Sequence, residues 1–330
     1  MQKRDGVVSI VRVMGMFFII LCHLAAWLDF PSVVSQLFNV GVPLFLFISG
    51  YLYGNKTISH YWSWIKSRFF KICIPSYLFI AFIMVYFSVF LNQKISFSCI
   101  AMYLFNLQGL SSLNLERLKE VEHLWFLTPL MFCYLMTIGI KALEKKKVFS
   151  GRKVAAILIA ASILVVLFGL MGIRIYYFST YLFGYFTSRY LKKMSLKTFV
   201  IFTATMILFM GLRIGFKRIM DGTNFYDCVI VSFAHQVLAI WIFSVVYFAN
   251  QVNSKLVSKI ADSFLCGFID KISYFVYITH YMFLEETFDI AKITNNLYLN
   301  LSLFFVLTFL SALLLQFICA KIMLLVNRHA

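Results

Sequence analysis

Apolar residues run along this chain in blocks of about twenty, separated by short basic or polar links. A helix needs about 20 predominantly apolar residues to cross a bilayer. Blocks of that kind are predicted at 7–29, 35–53, 72–91, 124–140, 154–172, 175–190, 198–215, 226–249, 273–290 and 298–325. The pattern predicts an all-α, polytopic integral membrane protein with about ten transmembrane helices around a central polar cavity. No internal repeat or low-complexity tract divides it, so 1–330 reads as a single membrane-embedded domain with no separate soluble domain. In the second block Pro43 is expected to kink the helix and Gly50 to allow close approach of a neighbour. The stretch 92–123 breaks the rhythm, because its apolar piece at 99–107 is too short to span. It is predicted as an outer loop with a re-entrant or interfacial helix. Blocks five and six are predicted to form a tight hairpin.

Composition and charge sharpen this reading. The chain is 62% hydrophobic and 13% charged, with a mean hydropathy of +0.87, which excludes a soluble domain. A net charge of +17 would suggest nucleic acid in a soluble protein. Here the Lys and Arg fall in short links, which is the positive-inside pattern and an attraction to anionic lipid. It places both termini and the links 56–68, 141–153, 189–197 and 255–271 in the cytoplasm, with Lys217 and Arg218 outside against the rule. Lys3 and Arg4 precede the first block without an A-x-A-like site after it, so it is expected to be a retained helix. The seven Cys form no C-x-x-C and read as small buried hydrophobes.

The first block, V-S-I-V-R-V-M-G-M-F-F-I-I-L-C-H-L-A-A-W over 8–27, holds two residues foreign to hydrocarbon, Arg12 and His23. At about 100° per residue their separation returns them to within roughly 20° of one face, roughly 16 Å apart along the axis. An intramembrane Arg costs at least about 2.5–3.5 kcal/mol, so it must face protein, water or a ligand. Both residues are read as lining one polar cavity. The competing reading is a snorkelling Arg and a packed core His. Further candidates are His280 with Glu285 and Glu286 beyond it, His235, and Glu122 and His123 just before Trp125. His60 and His329 lie in links and receive no role. The absence of H-x-x-x-H and H-E-x-x-H spacing leads us to expect no metal. No G-x-S-x-G, Walker loop or G-x-G-x-x-G is present, which removes the ordinary hydrolase, ATPase and dinucleotide readings. What remains is a basic inner surface of Arg12, Lys66, Arg68 and Lys71 able to hold a polyanion, with a histidine further out as general base for a hydroxyl. That suits transfer of a group from an intracellular activated donor toward an outer acceptor.

Five segments in order carry a resemblance. A basic residue, ten others and a His are Arg12 and His23; G-V-P-L-F-L-F-I-S-G-Y-L runs over 41–52; R-F-F-K-I-C-I-P holds Arg68, Lys71 and Pro75. H-L-W-F-L over 123–127 and S-Y-F-V-Y-I-T-H over 273–280 complete the set. Over essentially its whole length the chain resembles the acyltransferase 3 family, bacterial multi-span enzymes that O-acylate surface glycans. The resemblance implies an O-acetyltransferase of the bacterial inner membrane, with acetyl-CoA as donor and a glycan or lipid-linked glycan as acceptor. It implies Arg12, Arg68 and Lys71 as the donor's phosphate grip and His23 as base or acyl relay. Glu122, His123, Trp125 and His280 are implied as supporting or acceptor-side residues. Ser9 stands where the family commonly has Asp, and Lys71 where it has a second Arg. The serine-esterase-type domain that some members carry is not expected. Two other classes fit the polar residues as well: a transporter or flippase for an acyl or glycolipid cargo, and a non-catalytic partner in glycan assembly.

Overall fold

The computed structural model describes residues 5–110, 115–146, 151–171, 177–223 and 225–328. Within them every element is helical: α1 (Gly6–Trp27), α2 (Ser32–Phe38), α3 (Gly41–Gly54), α4 (Tyr61–Phe90), α5 (Phe97–Leu104), α6 (Leu127–Lys145), α7 (Gly151–Leu170), α8 (Phe178–Tyr190), α9 (Leu196–Met220), α10 (Val231–Val252), α11 (Ser254–Ala261), α12 (Phe264–Thr279) and α13 (Leu297–Arg328). Each of the ten predicted blocks falls on a helix, but among the described residues only eight helical stretches are long and apolar enough to cross a membrane. The two that fall short are α8, with 13 residues, and α12, with 16 and a 3-10 turn over His280–Leu284 behind it. The links at 147–150 and 172–176, residues 111–114, and the terminal Lys3, Arg4 and His329 lie outside the described residues.

Three boundaries differ from the sequence expectation. The second block is two helices, broken at Asn39 and Val40, and Pro43 stands in the first turn of α3. There its missing N–H is one the helix end leaves unpaired anyway, so it kinks nothing. The ninth helix begins at Phe264 rather than 273, because Ser263 caps it by accepting from the Cys266 N–H and Asp270 finds a partner inside the bundle. The preceding link is therefore mostly helical, with α11 capped by Asn253. In the 92–123 stretch α5 is as short as expected, and a 3-10 helix over Lys119–Phe126 leads into α6.

Local signals set the limits of α1. The Asp5 carboxylate accepts from the N–H groups of Val7 and Val8 at 3.0 and 3.3 Å. At the other end Asp29 takes φ 54°, and the Phe30 N–H reaches back to the Ala25 carbonyl, closing the helix in a Schellman turn. Between these ends α1 lies at the centre, touching α2, α3, α10, α11 and α12. Glycine lets the backbones meet: a Cβ at Gly41 would strike Ile19 and the Gly15 carbonyl of α1. The most extensive contact in the fold, α3 on α8, works the same way. A Cβ at Gly50 would overlap the Tyr181 carbonyl, and one at Gly184 the Phe47 carbonyl. By contrast α9 is largely exposed along its length and borders the bundle through α10.

Gly50→Ala is expected to destabilise the protein by about 3 kcal/mol or more, because the new methyl meets a main-chain carbonyl that cannot turn away. Gly139→Ala in α6, where nothing lies within 4 Å, is expected to be neutral or slightly stabilising. Melting temperatures of the two variants in detergent check this, and equal values would overturn the role given to Gly50.

Candidate active site

Ser9 and Arg12 sit one turn apart on α1, facing Asp270 of α12. The Arg12 guanidinium forms an ion pair with the Asp270 carboxylate, and Ser9 Oγ donates to Asp270 Oδ2 at 3.0 Å. The Asp270 side chain is 1% exposed and that of Arg12 29%, so the pair is sunk on the Asp side and open on the Arg side. It opens onto a cavity of about 450 Å³ whose polar wall is Asp5, Arg12, Tyr53, Lys56, Arg68 and Asp270. That volume is in the range of about 300–1,000 Å³ usual for small-molecule sites. Arg68, from α4, donates through Nη1 to the Tyr53 hydroxyl at 2.9 Å, while its Nε is buried without a hydrogen-bond partner. Tyr53 is held edge-on against Trp64 and Tyr134, with ring centroids 5.1 and 5.7 Å away. Lys71 and Lys66 are exposed on α4 and do not line this cavity.

His23 is not on that wall. About 16 Å further along α1 by helix rise, it meets two other imidazoles that are remote in sequence. Its ring centroid lies 5.3 Å from that of His280 and 6.5 Å from that of His123, which are themselves 5.2 Å apart. Tyr281 leans on the group, 4.6 Å from His23 and 4.9 Å from His123. The 3-10 geometry explains how His123 arrives. At about three residues per turn, positions three apart eclipse, so Glu120, His123 and Phe126 share one buried face and Val121 and Leu124 another. Glu122 and Trp125 fall between and are half-buried.

Backbone carbonyls fix the two deeper rings. His123 Nε2 stands 3.1 Å from the Ile278 carbonyl, and His280 Nδ1 stands 2.8 Å from that of Tyr277 and 3.2 Å from that of Val276. A carbonyl only accepts, so these nitrogens carry the hydrogens, and the neutral rings keep lone pairs on His123 Nδ1 and His280 Nε2. Both of those nitrogens are buried without a partner. The Tyr277 hydroxyl also donates to the His123 carbonyl at 2.5 Å, tying the 3-10 segment to α12. His23 is half-buried as a residue, whereas His123 and His280 are buried. The arrangement can take a proton from a hydroxyl at His23, with two lone-pair nitrogens in the neighbouring rings.

The structure thus brings His23, His123 and His280 together and sets Arg12 beside Arg68, in two separate places rather than one cavity wall. Glu122 makes no hydrogen bond to the imidazoles; the buried carboxylate nearby is Glu120, which accepts from Thr287 Oγ1 at 2.5 Å. Trp125 stacks toward Tyr177, with ring centroids 6.2 Å apart, beside the cluster rather than in it. Sequence reasoning missed Asp270, Tyr53 and Tyr281. Asp270 carried little signal: beside Lys271 it reads as the end of a cytoplasmic link. Among the described residues no group of three or more His, Cys, Asp or Glu is arranged to hold a metal ion.

Removing the Asp270 carboxylate strands Arg12. Asp270→Ala is expected to cost about 2–4 kcal/mol, somewhat below a fully buried pair because Arg12 reaches the cavity. Asp270→Asn, which still accepts from Ser9, is expected to cost less. The double variant Arg12→Ala with Asp270→Ala should recover part of the single loss, and strict additivity in melting experiments would overturn the coupling.

No curated protein and no solved structure matches the chain. A family model described as an acyltransferase domain, that of the acyltransferase 3 family, matches residues 7–321. That match spans α1 through most of α13, including Arg12, the glycine-packed α3, Arg68 and all three clustered histidines. The chain is a multi-pass membrane acyltransferase and belongs to the acyltransferase 3 family.

Proposed function

We propose that this acyltransferase moves an acetyl group from acetyl-CoA to a hydroxyl of a cell-surface or lipid-linked glycan, across the bacterial inner membrane. The observation that carries the reading is that α1 alone holds both halves of the task. Arg12 stands in a cation-rich cavity at one end, and His23 in a histidine cluster at the other. The residues present fit the donor: the Arg68 Nε is a buried donor without a partner, and Arg12 and Lys56 stand in the same wall. Arg68 and Arg12 bind the donor's phosphates, and Lys71 adds charge at the mouth instead of a wall contact. The concentration of Lys and Arg in links on one side supports a cytoplasmic Arg12 end and cytoplasmic termini.

The donor supplies an acyl thioester, and the chain supplies the proton transfers. His23 removes the proton of the acceptor hydroxyl as its oxygen bonds to the acyl carbon. As the C–S bond breaks, the imidazolium returns that proton to the departing sulfur. His123 and His280 pack beside the ring and leave two lone-pair nitrogens in its surroundings. Tyr281 covers the ring face and limits water.

Two experiments test this reading with labelled acetyl-CoA and purified protein. His23→Ala is expected to lower transfer by about 10²–10⁴-fold with folding and CoA binding kept. His23→Gln should fail as well, since an amide takes no proton at neutral pH. A well-folded His23→Ala protein with wild-type transfer would sink the mechanism. Arg68→Ala is expected to weaken CoA binding by about 10–100-fold through loss of a charge-assisted contact. Unchanged CoA binding in that variant removes Arg68 from the donor site.

A further inference from the structure

A deeply buried cation lies at the His23 end of the bundle, away from the Arg12 cavity. Arg213 of α9 is 2% exposed. Its Nη2 donates to Gln36 Oε1 of α2 at 2.6 Å, but Nε and Nη1 are buried without any hydrogen-bond partner. The groups that act on its charge are Tyr226, whose hydroxyl approaches the guanidinium and donates to the Arg213 carbonyl at 2.9 Å, Tyr177 and Cys22, with no carboxylate among them. Beside it stands His235 of α10, fully buried, whose Nε2 bonds the Gln36 carbonyl at 2.9 Å and whose Nδ1 is also unpartnered. The two side chains therefore converge on one residue, each with nitrogen capacity to spare.

A guanidinium stays charged at any working pH, and a buried charge without a counter-charge is costly. Arg213 does not snorkel, although it is two turns from the end of α9. One turn nearer that end Lys217 Nζ donates to Ser32 Oγ, and Arg218 is exposed, so positive charge leads inward along this helix end. The location is telling. Cys22, on which the Arg213 charge acts, is the neighbour of His23 in α1. Tyr177, which also faces Arg213, stacks toward Trp125, two residues after His123.

We propose that Arg213, with His235 and Gln36, forms an oxyanion-recognition site that seats the carboxylate or phosphate of the acyl acceptor beside the histidine cluster. This assignment of an acidic acceptor rests on the acyl-transfer reading above. Arg213 keeps N–H groups on Nε and Nη1 for such an anion, and charge-assisted N–H···O bonds of this kind are among the stronger ones. A uronic-acid glycan and a glycan on a lipid phosphate both carry that chemistry, whereas a neutral sugar does not.

The test uses the full-length protein in neutral detergent and reads melting temperature, with no CoA present. A failure of acetyl transfer and a failure of this site are therefore distinguishable. The probes are glucuronate, inorganic phosphate and dodecyl phosphate, with glucose as the neutral control. At least one oxyanion is expected to raise the melting temperature of the wild type and of Arg68→Ala. Arg213→Gln is expected to weaken its apparent Kd by about 10–100-fold. Stabilisation by the soluble anions assigns an acidic sugar or free phosphate group; stabilisation by dodecyl phosphate alone assigns a lipid-linked one. No effect of any oxyanion on the wild type overturns the proposal. So does an effect kept in Arg213→Gln, or one lost in Arg68→Ala, which would return the anion to the Arg12 cavity. If Arg213→Gln does not fold, Arg213→Lys replaces it, with a several-fold loss expected and an unchanged Kd overturning.

Discussion

An arginine inside an apolar bundle demands a counter-charge, and in this protein the demand organises the fold. Arg12 finds its partner in Asp270, far away in sequence, and Ser9 adds a hydrogen bond to the same carboxylate. The pair pins α12 against α1. From that fixed position α12 reaches in two further directions. Its Tyr274 hydroxyl donates to the Ile72 carbonyl of α4 at 2.6 Å, one turn from Arg68, and its Tyr277 hydroxyl to the His123 carbonyl. One ion pair therefore supports both the cavity and the histidine cluster.

The opposite wall is built without charge. Glycines on α3 and α8 bring two main chains together so closely that Cβ atoms would overlap carbonyls. Close backbone approach is the usual means of helix association where lipid and protein are equally apolar. It holds Tyr53, in the last turn of α3, and so gives Arg68 its hydroxyl partner. The short α8 and α12 belong to this interior, while the exposed α9 and α13 border it.

The two ends of the bundle also differ in how their cations are balanced. At the Arg12 end a carboxylate is built in, so Arg12 is balanced by the protein's own Asp270, while the Arg68 Nε stays without a partner. At the His23 end Arg213 has an amide but no carboxylate among the described residues. Under the proposed reading, this difference separates the donor's phosphates at one end of α1 from the acceptor's anion at the other.

Much of this was legible in the chain itself. Runs of about twenty apolar residues forced helices, because in hydrocarbon every backbone polar group must bond within its own segment. Arg12 and His23 stood out because polar residues in such runs are costly, and the later match to the acyltransferase 3 family covers the motifs that first suggested it. Helix spacing could align the two residues on α1, but not say that they serve separate places. That, and the pairing of Arg12 with Asp270, the approach of His123 and His280 to His23, the exposure of Lys71, and the half-burial of Glu122 beside a buried Glu120 that bonds Thr287, were decided by tertiary structure. Periodicity governs which face of a helix a residue occupies, whereas a counter-charge or a second imidazole arrives from another helix, and only the packing of the whole bundle chooses which.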